Sequence, residues 1–182
     1  MWENDEIREE CGVFGIYGDP GASRLTFLGL YALQHRGQES SGMAVSDGNR
    51  IDSHRAMGLV SEAYDKGERV NDLKGHIAIG HNRYSTTGTS NVYNAQPFLV
   101  NYKRGQLATA HNGNLTNTGK LRQSMEELGS IFRTSSDSEI VLHLIAKSNE
   151  SELSSMIADA LHKVEGAYSI LFLSDKQLVG VR

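Results

Sequence analysis

Strand-like and helical periodicities fall in separate blocks along this 182-residue chain. Strand-like runs occupy both ends, helical spacing is concentrated between residues 118 and 164 after one early helix, and no βαβ alternation runs through the whole. That order predicts an α+β architecture in which sheets pack against helices. The length fits one domain with a sizeable buried core.

The individual signals are local. CGVFGIYG, from Cys11 to Gly18, is a short apolar run bounded by the turn-like Asp19-Pro20-Gly21, and it reads as a strand. Leu25, Leu28, Tyr31 and Ala32 then recur at helical spacing to about Gln34. GMAVS and RIDSHRAM flank Asp47-Gly48, a pair that supplies positive φ cheaply, and predict a hairpin. HIAIGHNRY gives a further strand from His76 to Tyr84, and FLVNY with QLATAHN bracket Lys103-Arg104-Gly105 as a second hairpin. A helix near Thr118 to Leu128 stops at Gly129, and Ser136 to Glu139 has capping-box spacing before another. Ser151 is expected to cap the clearest helix, whose stripe is Leu153, Met156, Ile157, Ala160, Leu161 and Val164. Two strands, AYSILFL and QLVGVR, follow, and the chain stops inside the second, which points to an incomplete domain.

Charge narrows the partners. The formal net charge is -4 with both signs interspersed, so no basic stripe is present for a nucleic-acid backbone. No apolar run approaches the roughly 20 residues of a membrane span. The start, MWENDEIREE, is acidic and lacks the basic and apolar segments of an export signal. With a single cysteine there is no internal disulfide, and these features together predict a cytoplasmic protein.

Cys11 is the only thiol, so any cysteine chemistry must use it, although a lone cysteine is more often an inert core residue. It follows directly on a charged leader that suits no core. Removing residues 1 to 10 as a propeptide would leave an N-terminal cysteine whose α-amine, of ordinary pKa about 7.7 to 8.0, can serve as base for its own thiol. His111-Asn112-Gly113-Asn114 follows QLATA and is read as opening a loop. An oxyanion hole there would combine the Asn112 amide with the Gly113 N–H, but Asn-Gly is equally an ordinary turn. Arg83 and Asp137 have the chemistry to grip the two ends of an amino acid, guanidinium to carboxylate and carboxylate to ammonium; singly they would be a surface charge and a helix-cap residue. His35, His54, His76 and His81 show no ligand pattern, so no metal site is expected.

Taken together, CGVFGIYG, LQHRGQESSG, GHNRYSTTG, AQPF, AHNGNL and TSSDSE resemble, in order and spacing, the class II glutamine amidotransferases, which are N-terminal-nucleophile hydrolases. Within them the likeness is greatest to the branch that passes ammonia to phosphoribosylpyrophosphate at the start of purine synthesis. The resemblance runs from Cys11 to Arg182 and implies a four-layer αββα sandwich. It implies Cys11 as nucleophile, Asn112 and Gly113 as oxyanion hole, and Arg83 on the glutamine α-carboxylate with the Thr86 region beside it. It also implies Asp137 on the α-ammonium and Arg36 in support near the nucleophile. QHRGQ, and Thr87 where glucosamine-phosphate-forming relatives have histidine, set the chain apart from that branch. Asn82 departs from the usual apolar residue.

The resemblance further implies a phosphoribosyltransferase half, absent from residues 11–182. That half would bind phosphoribosylpyrophosphate and magnesium, and in relatives with such a leader the cysteines of an iron–sulfur cluster lie beyond the corresponding point. This chain is expected to hold no cofactor, to take L-glutamine, and to work within a homo-oligomer. Two other readings stand beside this one: a class II amidotransferase with a different acceptor, and a non-catalytic amino-acid-binding domain should the leader stay in place.

Overall fold

A computed structural model describes residues 11–36, 39–84 and 91–182. The leader 1–10 and the Thr86–Thr87 segment therefore lie outside the described residues. Strands β1 (Gly12–Tyr17), β2 (Ser40–Ser46), β3 (Ile51–Met57) and β4 (Ile77–Arg83) form one antiparallel sheet in the order β1-β4-β2-β3. Strands β5 (Phe98–Tyr102), β6 (Gly105–Leu115), β7 (Gly166–Leu173) and β8 (Leu178–Val181) form a second, in sequence order. Helices α1 (Ala22–Ala32) and α2 (Val60–Ala63) go with the first sheet; α3 (Thr118–Glu127), α4 (Asp137–Lys147) and α5 (Leu153–Leu161) go with the second.

Three cores separate four layers. Because successive strand residues point to opposite faces, Ile77 and Ile79 of β4 pack with Ala44, Ala108, Ala110 and Leu173 between the sheets. The intervening Ala78 joins Leu30, Met43, Val45 and Tyr64 under α1 and α2. On the far side Leu107, Leu115, Ile170 and Phe172 meet Ile140, Val141, Ile145, Met156 and Ile157 of α4 and α5. The predicted α+β class is thus an αββα sandwich. β2 is buried along its whole length, which is why GMAVS lacks a polar alternate.

Two local expectations are corrected. Ser136 caps α4 by accepting from the Ser138 N–H at 3.3 Å, but Glu139 does not complete a capping box. Its carboxylate accepts from the N–H groups of Arg133 and Thr134, both at 2.8 Å, and so straps down the preceding loop instead. Ser151 does not cap α5: Glu152 precedes the helix, no side chain caps it, and the Ser151 carbonyl accepts from Arg104. The span between β3 and β4, left unassigned by pattern, holds α2 and a 3₁₀ turn over Asp65–Asp72. No helix among the described residues is long and apolar enough to cross a membrane.

Candidate active site

Strand parity brings three of the predicted side chains to one end of the space between the sheets. On β4 the residues sharing the inter-sheet face with Ile77 and Ile79 are His81 and Arg83. Val13 of β1 is in the same core, so Cys11, two residues earlier, starts on that face, and pairing of Gly12 with Asn82 sets it beside Arg83. From the opposite sheet Ala108 and Ala110 fix the parity of Asn112. The two sheets are tied at this end by the His81 ring, whose Nε2 lies 2.9 Å from the His111 carbonyl.

Around the thiol, the Tyr84 N–H reaches Sγ at 3.4 Å and Sγ lies 3.5 Å from the Tyr84 carbonyl. The Arg36 Nε donates to the Cys11 carbonyl at 3.4 Å. Arg83 meets Glu39 at 3.6 Å, with side chains only 17% and 13% exposed, and the Glu39 N–H also donates to the Arg83 carbonyl. The Arg83 nitrogen that faces Glu39, Nη1, is buried, and at 3.6 Å the ion pair is too long for a hydrogen bond, so Glu39 offsets the charge without fully occupying this donor. Burial is the largest influence on the Cys11 thiol and pushes it above its ordinary value, against the Tyr84 backbone and the Arg83 charge. A thiol in that state requires a base.

Asp137 belongs to a second cluster on the helix side of β6. It is the first residue of α4; one oxygen accepts from the Leu115 N–H at 3.2 Å, and the other is 3.3 Å from His111 Nδ1, itself 3.0 Å from Ser138 Oγ. Burial raises the Asp137 pKa, but the His111 and backbone hydrogen bonds outweigh it and hold the carboxyl below its ordinary value. Arg83 and Asp137 are thus not brought into contact: Arg83 is on the inter-sheet face with Glu39, and Asp137 is on the helix side of β6 with His111.

The loop read at His111-Asn112-Gly113-Asn114 is overturned. β6 runs on to Leu115, with Asn112 opposite Ser169, Gly113 opposite Tyr168 and Asn114 opposite Ala167. Gly113 has φ +139°, and a Cβ there would stand 2.2 Å from the Ala167 carbonyl oxygen. Its glycine serves close approach of β7, not a turn. Pattern reading gave no role at the site to Glu39, His81, Gln96 or Ser138, although each lies inside one of the motifs that carry the resemblance: LQHRGQESSG, GHNRYSTTG, AQPF and TSSDSE. Among the described residues no group of three or more histidine, cysteine, aspartate or glutamate side chains is placed to hold a metal.

Two face-to-face antiparallel sheets between helix layers, with a thiol at the head of the first strand, are the sandwich of the N-terminal-nucleophile hydrolases. The model of the glutamine amidotransferase domain family matches residues 81–182. Amidophosphoribosyltransferase 3 of Arabidopsis thaliana, a chloroplastic protein, is 51% identical over 180 residues, 99% of this chain and 34% of that relative. A solved structure of the allosteric regulatory enzyme of purine biosynthesis superposes with a TM-score of 0.87 at 43% identity, over 91% of this chain and 36% of that one. The glutamine phosphoribosylpyrophosphate amidotransferase of B. subtilis, complexed with ADP and GMP, gives 0.85 at 42% identity with the same coverage. The chain belongs to the glutamine amidotransferase domain family, in its class II, amidophosphoribosyltransferase branch. It spans about a third of the length of the curated relatives it matches.

Proposed function

We propose that this domain hydrolyses glutamine through a thioester on Cys11, with residues 1–10 removed so that Cys11 carries a free α-amine, and supplies the ammonia for phosphoribosylamine synthesis in purine formation. The observation that carries the reading is the convergence of Cys11, Arg36 and Arg83 with Asn112 at one end of the inter-sheet space. The amine, through a water, takes the thiol proton, and sulfur attacks the carboxamide carbon of glutamine. Asn112 and the Gly113 N–H stabilise the oxyanion. The proton passes to the departing nitrogen, ammonia leaves, and water cleaves the thioester to give glutamate and the free thiol. Arg83, steadied by Glu39, takes the α-carboxylate with the Thr86 segment beside it; Asp137, kept ionised by His111, takes the α-ammonium; Arg36 holds the Cys11 carbonyl.

The acceptor is phosphoribosylpyrophosphate, bound with magnesium by the transferase part of such an enzyme; an iron–sulfur cluster would likewise draw on cysteines other than Cys11. The working form is a homo-oligomer in the reducing cytoplasm, where a lone thiol persists. Intact mass and N-terminal sequencing of purified full-length protein test the mechanism. The active form should begin at Cys11, and Cys11→Ala should abolish glutamine-dependent synthesis while sparing synthesis from ammonia. Full glutaminase activity in protein retaining Met1 rules the mechanism out.

A further inference from the structure

β5 and β6 pair from Tyr102 opposite Gly105 to Phe98 opposite Thr109. Two more positions of that register would set Pro97 opposite Ala110 and Gln96 opposite His111, yet the ladder stops at Phe98 because Pro97 has no N–H and the chain turns away. The Gln96 backbone goes to the other sheet instead. Its carbonyl oxygen lies where a Cβ on Gly42 of β2 would be only 2.3 Å away, and the Ala95 carbonyl accepts from Arg55 of β3 at 2.7 Å. Both main-chain groups of the buried His111 would thus be orphaned next to Asn112. Side chains take over both: the His111 N–H donates to Gln96 Oε1 at 2.8 Å, and the His111 carbonyl accepts from His81 Nε2 at 2.9 Å. The carbonyl only accepts, so His81 is the Nε2–H tautomer.

We infer that Gln96 and His81 are positioning residues: they stand in for the missing β5 ladder at His111 and so hold Asn112 and Gly113 where the oxyanion forms. The inference rests on the proposed role of that pair. It gives a use to AQPF, which the mechanism leaves idle, and to a fully buried histidine whose hydrogen bond goes to the His111 carbonyl and not to the thiol. Buried main-chain groups are almost always satisfied, and replacing backbone partners by side chains frees Gln96 to run toward the first sheet without unpairing β6.

The test uses full-length enzyme confirmed to begin at Cys11. Gln96→Leu removes the acceptor at similar volume; it should lower kcat for glutamine roughly ten- to a hundredfold, the scale expected of a small misplacement, with KM nearly unchanged. Gln96→Glu, which keeps an oxygen at the same reach, should restore most of it. Alkylation of Cys11 and synthesis from ammonia should stay at wild-type rates, the His111 amide should exchange faster with solvent, and adding Gln96→Leu to Asn112→Ala should cost clearly less than Gln96→Leu costs alone, because only the Gly113 donor is then left to misplace. Should Gln96→Leu not fold, the second clamp decides: His81→Leu should show the kcat-only loss and His81→Gln, which retains an amide donor, should regain activity. A loss confined to KM, full additivity with Asn112→Ala, or no rescue by either conservative variant overturns the inference. If Asn112→Ala itself turns over normally, the oxyanion reading falls, and the clamp then stands or falls on His111 exchange in Gln96→Leu: faster supports it, unchanged overturns it.

Discussion

Asn112→Ala separates a catalytic amide from a structural one. The Asn112 side chain is half-buried on the inter-sheet face and makes no hydrogen bond within the described residues, so its removal leaves no partner unsatisfied. The backbone pairing opposite Ser169 is untouched. The expected stability change is therefore within about 0.5 kcal/mol, the range of substitutions away from special features. Loss of one oxyanion donor costs about 2.7 to 4 kcal/mol of transition-state stabilisation, roughly a hundred- to a thousandfold in kcat. Steady-state glutaminase assays and urea unfolding on protein beginning at Cys11 read both quantities. Asn112→Gly is a poorer probe than a turn would have allowed, because glycine inside a strand costs roughly 0.5 to 1 kcal/mol by itself. A variant with normal kcat, or one whose activity falls only in step with its stability, refutes the role given to Asn112.

Arg83→Lys keeps the charge but loses the planar fork that meets both Glu39 and a carboxylate; KM for glutamine should rise roughly tenfold or more while ammonia-dependent synthesis persists, and parallel loss of both would mean misfolding. Gly113→Ala forces a side chain into a positive-φ position against the Ala167 carbonyl, so the unfolding free energy should fall by at least ~1 to 2 kcal/mol, and a neutral result would contradict the β6–β7 geometry. Burial pushes His81 down to about 3, so the unfolded chain takes up a proton below about pH 6.5 that the folded chain refuses. The stability held above about 6.5 is lost as pH falls toward 3, and His81→Gln should flatten that part of the profile of urea midpoint against pH; an unchanged slope would show that His81 does not carry it.

By itself the sequence determined the elements and their order. Glycine-bounded strand runs, the Asp47-Gly48 and Arg104-Gly105 turns and the Leu153 to Val164 stripe are local signals, set by period and backbone preference within a few residues, and they predicted every strand and all helices except α2. It also put Cys11 at the head of β1 and Asp137 at the start of α4, because a strand start and a helix cap are short-range events. Only the tertiary structure decided how these meet. Asn-Gly carries the same local signal in a turn and in a strand pressed against a neighbour, and the approach of Ala167 to Gly113, over 50 residues away along the chain, made it a strand. Glu39 at Arg83, His111 at Asp137, and Gln96 and His81 at the His111 backbone are contacts between elements, fixed by register across two sheets. No period in the sequence encodes such pairings, because each depends on which groups the ends of other strands leave unsatisfied.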